Sequence, residues 1–452
     1  MSGGERRAAV SMSAIFTLRL LGLFLIMPVF SIYAHEYAGH TAMLTGVAIG
    51  IYGLTQAAFQ IPFGMLSDRI GRKRVITIGL LIFAGGSVVA ALADTMTGVI
   101  VGRALQGLGA IAAAGYALIA DLTREEHRTK SMAMIGISIG FAFWLAMALG
   151  PYLADGIGVS GIFWLTSVLA LVGIAVLHLL VPDPRQSRLH RDAMTVPSSL
   201  RQVVADRQLL VLDFGIMVLH LVMTASFIAI PIALRDAAGL DPARISSVYL
   251  TVLLGSVALM MPVLMIASRR DALKPLLVGA IAVLALSQAA LATLGGGLWV
   301  AGMCLIAYFA AFNLLEATLP SLVSRIAPSD KKGTALGAYS TAQYFGAFVG
   351  GVCGGWVLGR FGVTAVFGFC AALAGLWLVL ALGLRPPPAV TLRLLRVGTV
   401  SEAQAGELAA RLLAVAGVVE AVVVASEGVA YLKVDRHRLD AGALRAFSES
   451  GA

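Results

Sequence analysis

Residues 64–74, Gly-Met-Leu-Ser-Asp-Arg-Ile-Gly-Arg-Lys-Arg, combine one carboxylate, four cations and two glycines in a short segment. Gly64 would let its helix approach a neighbour closely, and Gly71 would permit a tight turn. The Asp68 carboxylate is then free to face the amino end of another helix, whose unpaired N–H groups and positive dipole end attract an anion. A basic turn alone would explain the arginines, but it would not explain a carboxylate between two glycines.

Three ionisable residues lie inside long apolar stretches: Arg19, Arg103 and Glu316. Charged groups at membrane depth are costly, so each is a candidate for binding or proton transfer. Glu316 follows Asn313 by three residues, which places both on one face of a predicted helix. Arg19 and Arg103 could instead reach the membrane surface, because each lies about two turns from the predicted start of its helix.

Polar residues form two stripes at helical spacing. Tyr52, Gln56 and Gln60 repeat every four residues, and Gln343 follows Tyr339 by four residues in a later apolar stretch. Such stripes could line a cavity or could form hydrogen bonds between helices. The sequence leaves both interpretations open.

Other polar residues in apolar stretches are predicted to have no functional role. Asp213, His178 and His220 lie near predicted helix ends or have no evident partner, and the three cysteines lack the spacing of a metal site. A nucleophile, a base and an oxyanion-binding group do not recur at useful spacing. We therefore predict neither an enzyme nor a cofactor or metal site.

The elements that position these residues follow from composition. The chain of 452 residues is 59% hydrophobic and 13% charged, with a mean hydropathy of +0.90. Soluble domains are about half apolar and a quarter charged, so the lipid bilayer is the expected solvent. The net charge of +9 comes from basic residues in short loops between apolar blocks, which argues against nucleic acid as a partner.

Twelve apolar blocks, here called spans one to twelve, are long enough to cross the bilayer as helices. The spans are residues 12–32, 43–66, 75–93, 97–119, 131–154, 161–181, 209–234, 245–267, 275–294, 298–322, 334–358 and 364–384. Lys and Arg concentrate in alternate loops, and such loops are retained in the cytoplasm. The sequence therefore predicts a multi-pass protein with both chain ends in the cytoplasm.

The longest connection, residues 182–208, divides the spans six and six. We predict a six-helix bundle at 1–181, a cytoplasmic linker at 182–208 and a second six-helix bundle at 209–385. After Arg385-Pro-Pro-Pro388 the residues of 390–452 predict a β-α-β-β-α domain, with strands at 391–397, 418–425 and 429–434 and helices at 401–417 and 440–448. This order resembles the ferredoxin-like folds of heavy-metal-associated domains, but Gly398-Thr-Val-Ser401 replaces their Cys-x-x-Cys pair, so metal binding is not expected.

Residues 64–74 closely resemble the signature loop of major facilitator transporters, Gly-x-x-x-Asp-Arg-x-Gly-Arg-Arg/Lys, at every defined position. Residues 103–109, Arg-Ala-Leu-Gln-Gly-Leu-Gly, resemble a motif of that family's proton-coupled members. Gly150-Pro151 resembles part of the antiporter motif, Gly-x-x-x-Gly-Pro-x-x-Gly-Gly, although Ala146, Ala154 and Asp155 replace its other glycines.

The resemblance extends over nearly the whole chain to the YajR-type transporters, on residues 50–58, 60–64, 121–125 and 312–314 and on the tail domain. It implies an all-α membrane protein with the major facilitator fold of two six-helix bundles and a small α+β, ferredoxin-like C-terminal domain. It also implies that Asp68 docks on the start of helix eleven and that Arg72 pairs with Asp121. The predicted conformational gate consists of Gly64, Asp68, Arg69, Gly71, Arg72, Asp121 and Arg128.

The resemblance implies a monomeric secondary transporter of the cell inner membrane, in which a proton gradient drives export of a small molecule by alternating access. The predicted proton and substrate pathway consists of Arg19, Tyr52, Gln56, Arg103, Asn313, Glu316 and Gln343. Two alternatives remain open. One is a proton symporter that takes up a polar metabolite, and the other is a membrane sensor that does not transport and signals through its tail.

Overall fold

The computed structural model describes residues 1–183, 200–239, 242–269, 272–293, 297–328, 331–385, 390–398, 400–425, 428–435 and 438–447. Helices fill most of the chain before the tail. The first seven are α1 (Gly3–Phe24), α2 (Phe30–Tyr33), α3 (Ala42–Ile70), α4 (Arg72–Ala91), α5 (Met96–Leu108), α6 (Ala112–Leu122) and α7 (Glu125–Leu179). The next seven are α8 (Leu200–Val204), α9 (Arg207–Ala238), α10 (Pro242–Arg269), α11 (Leu273–Thr293), α12 (Leu298–Ile326), α13 (Lys332–Phe361) and α14 (Val363–Leu382).

The described helices coincide with all twelve predicted spans. Ten segments are long and apolar enough to cross a membrane, and α7 contains both span five and span six. Gly158 interrupts α7 with a positive φ of 71°, a conformation that glycine adopts without strain. Span eleven coincides with α13, which is rich in glycine and therefore less apolar than the other ten.

Two predicted spans are interrupted rather than continuous. Span one starts earlier than predicted, since α1 begins at Gly3, and it ends at Phe24 before the short α2. Pro28 lies in this interruption and has no N–H to continue a helix. Span four is divided into α5 and α6 at residues 109–111. There Gly109 packs against the backbone of Gly79 so closely that a Cβ would overlap its carbonyl oxygen.

Helices α3 and α13 run antiparallel in close contact. Gly46 lies against Gly351, and Gly53 lies against Tyr344, with backbones too close to admit a Cβ. Farther along, the Gln60 amide donates to the Thr341 hydroxyl at 3.0 Å. Small residues permit such approaches between membrane helices because they bring the two backbones together.

The tail forms the predicted β-α-β-β-α order. Its elements are β1 (Val390–Arg396), α15 (Glu402–Leu413), β2 (Val418–Val424), β3 (Val429–Asp435) and α16 (Ala441–Arg445). The sheet is antiparallel with strand order β1-β3-β2. Ser401 and Gln404 form a reciprocal capping box at the start of α15. The small α+β domain expected from the sequence is therefore confirmed.

Candidate functional site

The loop at residues 64–74 surrounds a buried arginine. The Arg72 guanidinium contacts the Asp68 carboxylate, and its Nε lies 3.4 Å from Oδ2 of Asp121, whose side chain is fully buried. Arg72 also donates to the Ser67 hydroxyl at 2.6 Å. Gly71 has a φ of 100°, so it makes the turn between α3 and α4 without the strain that a side chain would add. The loop thus holds one cation between two carboxylates.

The remaining gate residues differ in their packing and exposure. Gly64 faces Ala113 of α6, where a Cβ would lie 3.1 Å from the alanine methyl. Arg69 is exposed and Arg128 is buried. The Asp68 side chain is 32% exposed and paired with Arg72. The antiparallel register of α3 and α13, continued for about two turns, brings Asp68 level with the start of α13. Its docking on that helix stays a prediction.

Arg19 is sealed inside helices α1 to α6 and is 1% exposed. Its Nη2 donates to the Tyr52 hydroxyl at 2.9 Å, to Oε1 of Gln56 at 3.0 Å and to the Gly109 carbonyl at 2.9 Å. At the break between α5 and α6 that carbonyl accepts from the Ile111 N–H at 3.0 Å and also from the guanidinium. Because α1 begins at Gly3, Arg19 lies about four turns from the helix start and does not reach the membrane surface.

Arg103 of α5 is also buried, at 3% exposure. It donates to the backbone carbonyls of Ala48 and Ile49 at 3.2 and 3.3 Å and to Oε1 of Gln106 at 2.8 Å. Its guanidinium lies 5.4 Å from the centre of the Tyr52 ring. The arginine therefore ties α5 to α3, and the alternative in which it extends to the outer interface is wrong.

Glu316 of α12 occupies a different environment, with 39% of its side chain exposed. Nε2 of Gln343, on α13, donates to Glu316 Oε1 at 3.0 Å. The same amide nitrogen lies 2.8 Å from Nε2 of His220, on α9. Glu316 Oε2 is buried without a hydrogen-bond partner and lies 3.9 Å from the imidazole. Asn313 is half-buried one turn away and is not a hydrogen-bond partner of Glu316 among the described residues.

His220 corrects the prediction that it has no partner. Three helices bring His220, Gln343 and Glu316 together, and His220 Nδ1 lies 3.3 Å from the Ile216 carbonyl. The available signal in the sequence was an ionisable side chain within an apolar helix, which marks a functional candidate even without a visible partner. Its partner Gln343 is 123 residues away, and sequence spacing gives no sign of that contact.

An aromatic cluster adjoins His220 and joins the helices of the two halves of the chain. The ring of Phe143, on α7, lies 6.0 Å from that of Phe227 on α9 and 6.5 Å from that of Phe312 on α12. Phe312 in turn lies 5.9 Å from the His220 ring. Aromatic pairs at these separations are attractive and present adaptable apolar surface. His220, Gln343 and Glu316, here called the polar trio, therefore lie beside an aromatic cluster.

The polar stripe on α3 forms hydrogen bonds within the protein, whereas the Tyr339 hydroxyl of the stripe on α13 is buried without a partner. Tyr52, Gln56 and Gln60 are all buried, and their side chains bond to Arg19, to one another or to α13. Among the described residues, no group of three or more His, Cys, Asp or Glu is placed to hold a metal ion. The candidate groups for proton exchange are therefore Glu316 and His220, and Gln343 bonds to both of them.

Comparison with known proteins gives consistent matches. The family model described as Major Facilitator Superfamily matches residues 12–351 and 212–422. The chain is 43% identical over 436 residues to Inner membrane transport protein YajR of Escherichia coli (strain K12), which covers 96% of this chain and 95% of that protein. It is 23% identical over 340 residues to Multidrug resistance protein MdtH of Yersinia enterocolitica, covering 75% of this chain and 83% of the relative. The crystal structure of the POT family transporter PepTSo matches with a TM-score of 0.67 at 14% identity, covering 83% of this chain and 97% of that chain, which shows a shared fold alone.

Proposed function

The chain belongs to the major facilitator superfamily and is a multi-pass transporter of the inner membrane, and we propose that it exports small molecules in exchange for protons by alternating access. The relatives named multidrug resistance protein support an exporter. The concentration of Lys and Arg in alternate loops supports placing both chain ends in the cytoplasm. The predicted bundles at 1–181 and 209–385 would be the two bodies that rock against each other.

The observation that carries the proposal is the Glu316 carboxylate. It lies in a membrane helix, is partly accessible, and keeps one oxygen without a donor. Moving a charged carboxylate between the two sides of a membrane is costly, whereas a site neutralised by a proton moves at lower cost. A group with these properties supports coupling of the conformational cycle to a proton.

The surroundings of Glu316 support an amphipathic substrate. Phe143, Phe227 and Phe312 provide apolar aromatic surface beside the polar trio. Binding sites of this kind combine an apolar wall with a few polar groups that orient the ligand. Because Phe143 belongs to α7 and the other two to α9 and α12, relative movement of these helices would reshape the site.

The gate at Asp68 supports a protein that cycles between states. The α3–α13 contact is lined by glycines, and the loop of Asp68 lies at the end of α3. Pairing of Asp68 with Arg72 and with the start of α13 would hold this end closed. Separation of α3 from α13 would release the contact with α13 and leave the Asp68–Arg72 pair in place.

The test is proton-driven transport by purified protein in proteoliposomes, with compounds selected from drugs, sugars and organic acids by thermal shift. We expect wild type to move a selected compound against its gradient when a proton gradient is imposed in the opposite direction. Glu316→Gln keeps the shape of the side chain but cannot titrate, so it should bind the compound and lose the proton-driven movement. Glu407→Gln, an exposed position on α15, is the matched control and should transport normally.

Three results would contradict the proposal. Movement of compound and protons in the same direction would identify a symporter. Binding without movement of any compound would favour a sensor. Full proton-driven transport by Glu316→Gln would show that the carboxylate is not the coupling group.

A further inference from the structure

We infer that the coupling proton resides on His220 rather than on Glu316, so that the loaded site is an imidazolium–carboxylate pair. This inference rests on the proposed proton coupling and assigns the atom that binds the proton. It depends on the hydrogen bonds that His220, Gln343 and Glu316 make with one another.

The observed contacts fit a site that has not yet taken up its proton. A neutral imidazole with its hydrogen on Nδ1 donates to the Ile216 carbonyl at 3.3 Å, and its Nε2 accepts from the Gln343 amide at 2.8 Å. The second amide hydrogen of Gln343 is donated to Glu316 Oε1 at 3.0 Å. One side-chain amide thus serves two acceptors, and the site carries the single negative charge of Glu316.

A proton on Glu316 is disfavoured by the hydrogen bond that its carboxylate accepts. Nε2 of a neutral imidazole has one lone pair, and the Gln343 amide uses it, so a carboxylic O–H on Oε2 and an imidazolium N–H on Nε2 would both displace that amide from the nitrogen. Gln343 would still donate to Glu316 Oε1, and a donor on this oxygen favours the ionised carboxylate over the protonated one. The Ile216 carbonyl, which accepts from Nδ1, favours the imidazolium in the same way.

A proton on Nε2 of His220 would have Glu316 Oε2 as its hydrogen-bond acceptor. Nε2 lies 3.9 Å from Glu316 Oε2, a buried oxygen that has no hydrogen-bond partner. In the loading step, the Gln343 amide moves off Nε2, and a proton supplied by water adds to that lone pair while Nδ1 keeps its own hydrogen. The new N–H is donated to Oε2, and the Gln343 amide keeps its hydrogen bond to Oε1. Return of the proton to water on the other side reverses each step.

The groups around the pair are compatible with a neutral, loaded site. Titratable neighbours come from every helix packed there: Asp213 on α9, Tyr339 and Tyr344 on α13, and Tyr116 on α6. The three tyrosine hydroxyls lie within electrostatic range of Glu316. Arg19 lies within range of Tyr344, but its guanidinium is bound to Tyr52, Gln56 and Gly109. Among the described residues, His220 has the imidazole nearest to Glu316, and protonation of this imidazole would supply the positive charge of the loaded pair.

The experiment is acid-induced infrared difference spectroscopy of the full chain in lipid, which needs no transported compound. We compare wild type, His220→Gln, Glu316→Gln and the double variant, with ring-labelled histidine to identify imidazolium bands. His178→Gln is the control, because His178 bonds to Thr77 outside this site. In wild type, acidification should produce an imidazolium band that His220→Gln removes and His178→Gln leaves in place. No protonated-carboxyl band should depend on Glu316.

In His220→Gln the proton must bind elsewhere, so a protonated-carboxyl band should appear and should vanish in the double variant. A protonated-carboxyl band in wild type that Glu316→Gln removes would overturn the inference and leave the proposed proton coupling in place. If His220 and Glu316 both fail to take up a proton while circular dichroism shows intact helices, both proposals fail. Comparison of wild type with Glu316→Gln keeps the test decisive even if His220→Gln does not fold.

Discussion

The buried arginines among α1–α6 differ from Glu316, which bonds to α13 and lies near His220 of α9, in how much of the side chain is exposed. Arg19 is 1% exposed and donates to three acceptors, whereas Glu316 is 39% exposed and keeps an oxygen without a donor. Both residues lie within long apolar helices, so their depth in the membrane does not separate structural from exchangeable charges. Exposure does, because a side chain without access to water cannot exchange a proton or contact a substrate, even where one of its atoms, such as Arg19 Nε, has no partner.

The comparison predicts its largest effect at Arg19, where substitution should damage the fold itself. Arg19→Met removes the hydrogen bonds that the guanidinium donates to the Tyr52 hydroxyl, the Gln56 oxygen and the Gly109 carbonyl, and a hydrogen bond to a charged group contributes about 1.5–3 kcal/mol. We expect a large fall in melting temperature and little monodisperse protein on size exclusion. Arg6→Met, at an exposed position of the same helix, is the control and should change neither. A stable Arg19→Met protein would remove the basis of the comparison.

Substitution of Asp68 gives the next largest expected effect, because Asp68 lies in the first half of the chain but its side chain is partly exposed to water. Its carboxylate is partly exposed and paired with Arg72. If the exposure of a charged side chain rather than its position in the chain decides its role, Asp68→Asn should keep the fold and abolish transport. Cysteines placed along the start of α13 should then be labelled faster by a water-soluble reagent. Normal transport with unchanged labelling would exclude Asp68 from the gate.

Gln343 should show a smaller effect that separates stability from transport. Gln343→Leu removes the amide that serves both Glu316 and His220, yet the site is partly open to water, so we expect a loss of about 1 kcal/mol in stability. Proton-driven transport should fall at least about tenfold, which corresponds to about 1.4 kcal/mol in the barrier. Gln288→Leu is the control, since its buried amide bonds to Ser226 away from the trio. Equal transport by the two variants would contradict a coupling role for Gln343.

The smallest effect is expected at Asn313, which shares a helix face with Glu316 but does not bond to it. Asn313→Ala should change stability by less than about 0.5 kcal/mol, because the residue is half-buried. Its predicted place in the pathway should appear as a several-fold weaker apparent affinity for the transported compound, with proton coupling retained. Loss of coupling in this variant would show that the site extends beyond the trio.

The sequence by itself determined the class of protein and the location of its elements. Long apolar blocks predicted twelve spans, and described helices lie at each of them, with interruptions in spans one and four. The tail's strand and helix order was also predicted, since alternating apolar residues, the Ser401 cap and turn glycines are local signals. These properties depend on neighbours along the chain, so periodicity and turn residues are enough to reveal them.

Only the tertiary structure decided which polar residues are sealed and which are exchangeable. The sequence places Arg19 close to a helix end, whereas α1 begins at Gly3, and one of its acceptors is the carbonyl of Gly109, where span four is interrupted. The sequence shows no partner for His220, because Gln343 and Glu316 come from other helices. Hydropathy is a sum over adjacent residues, whereas satisfaction of a buried polar atom depends on side chains that packing brings from distant parts of the chain.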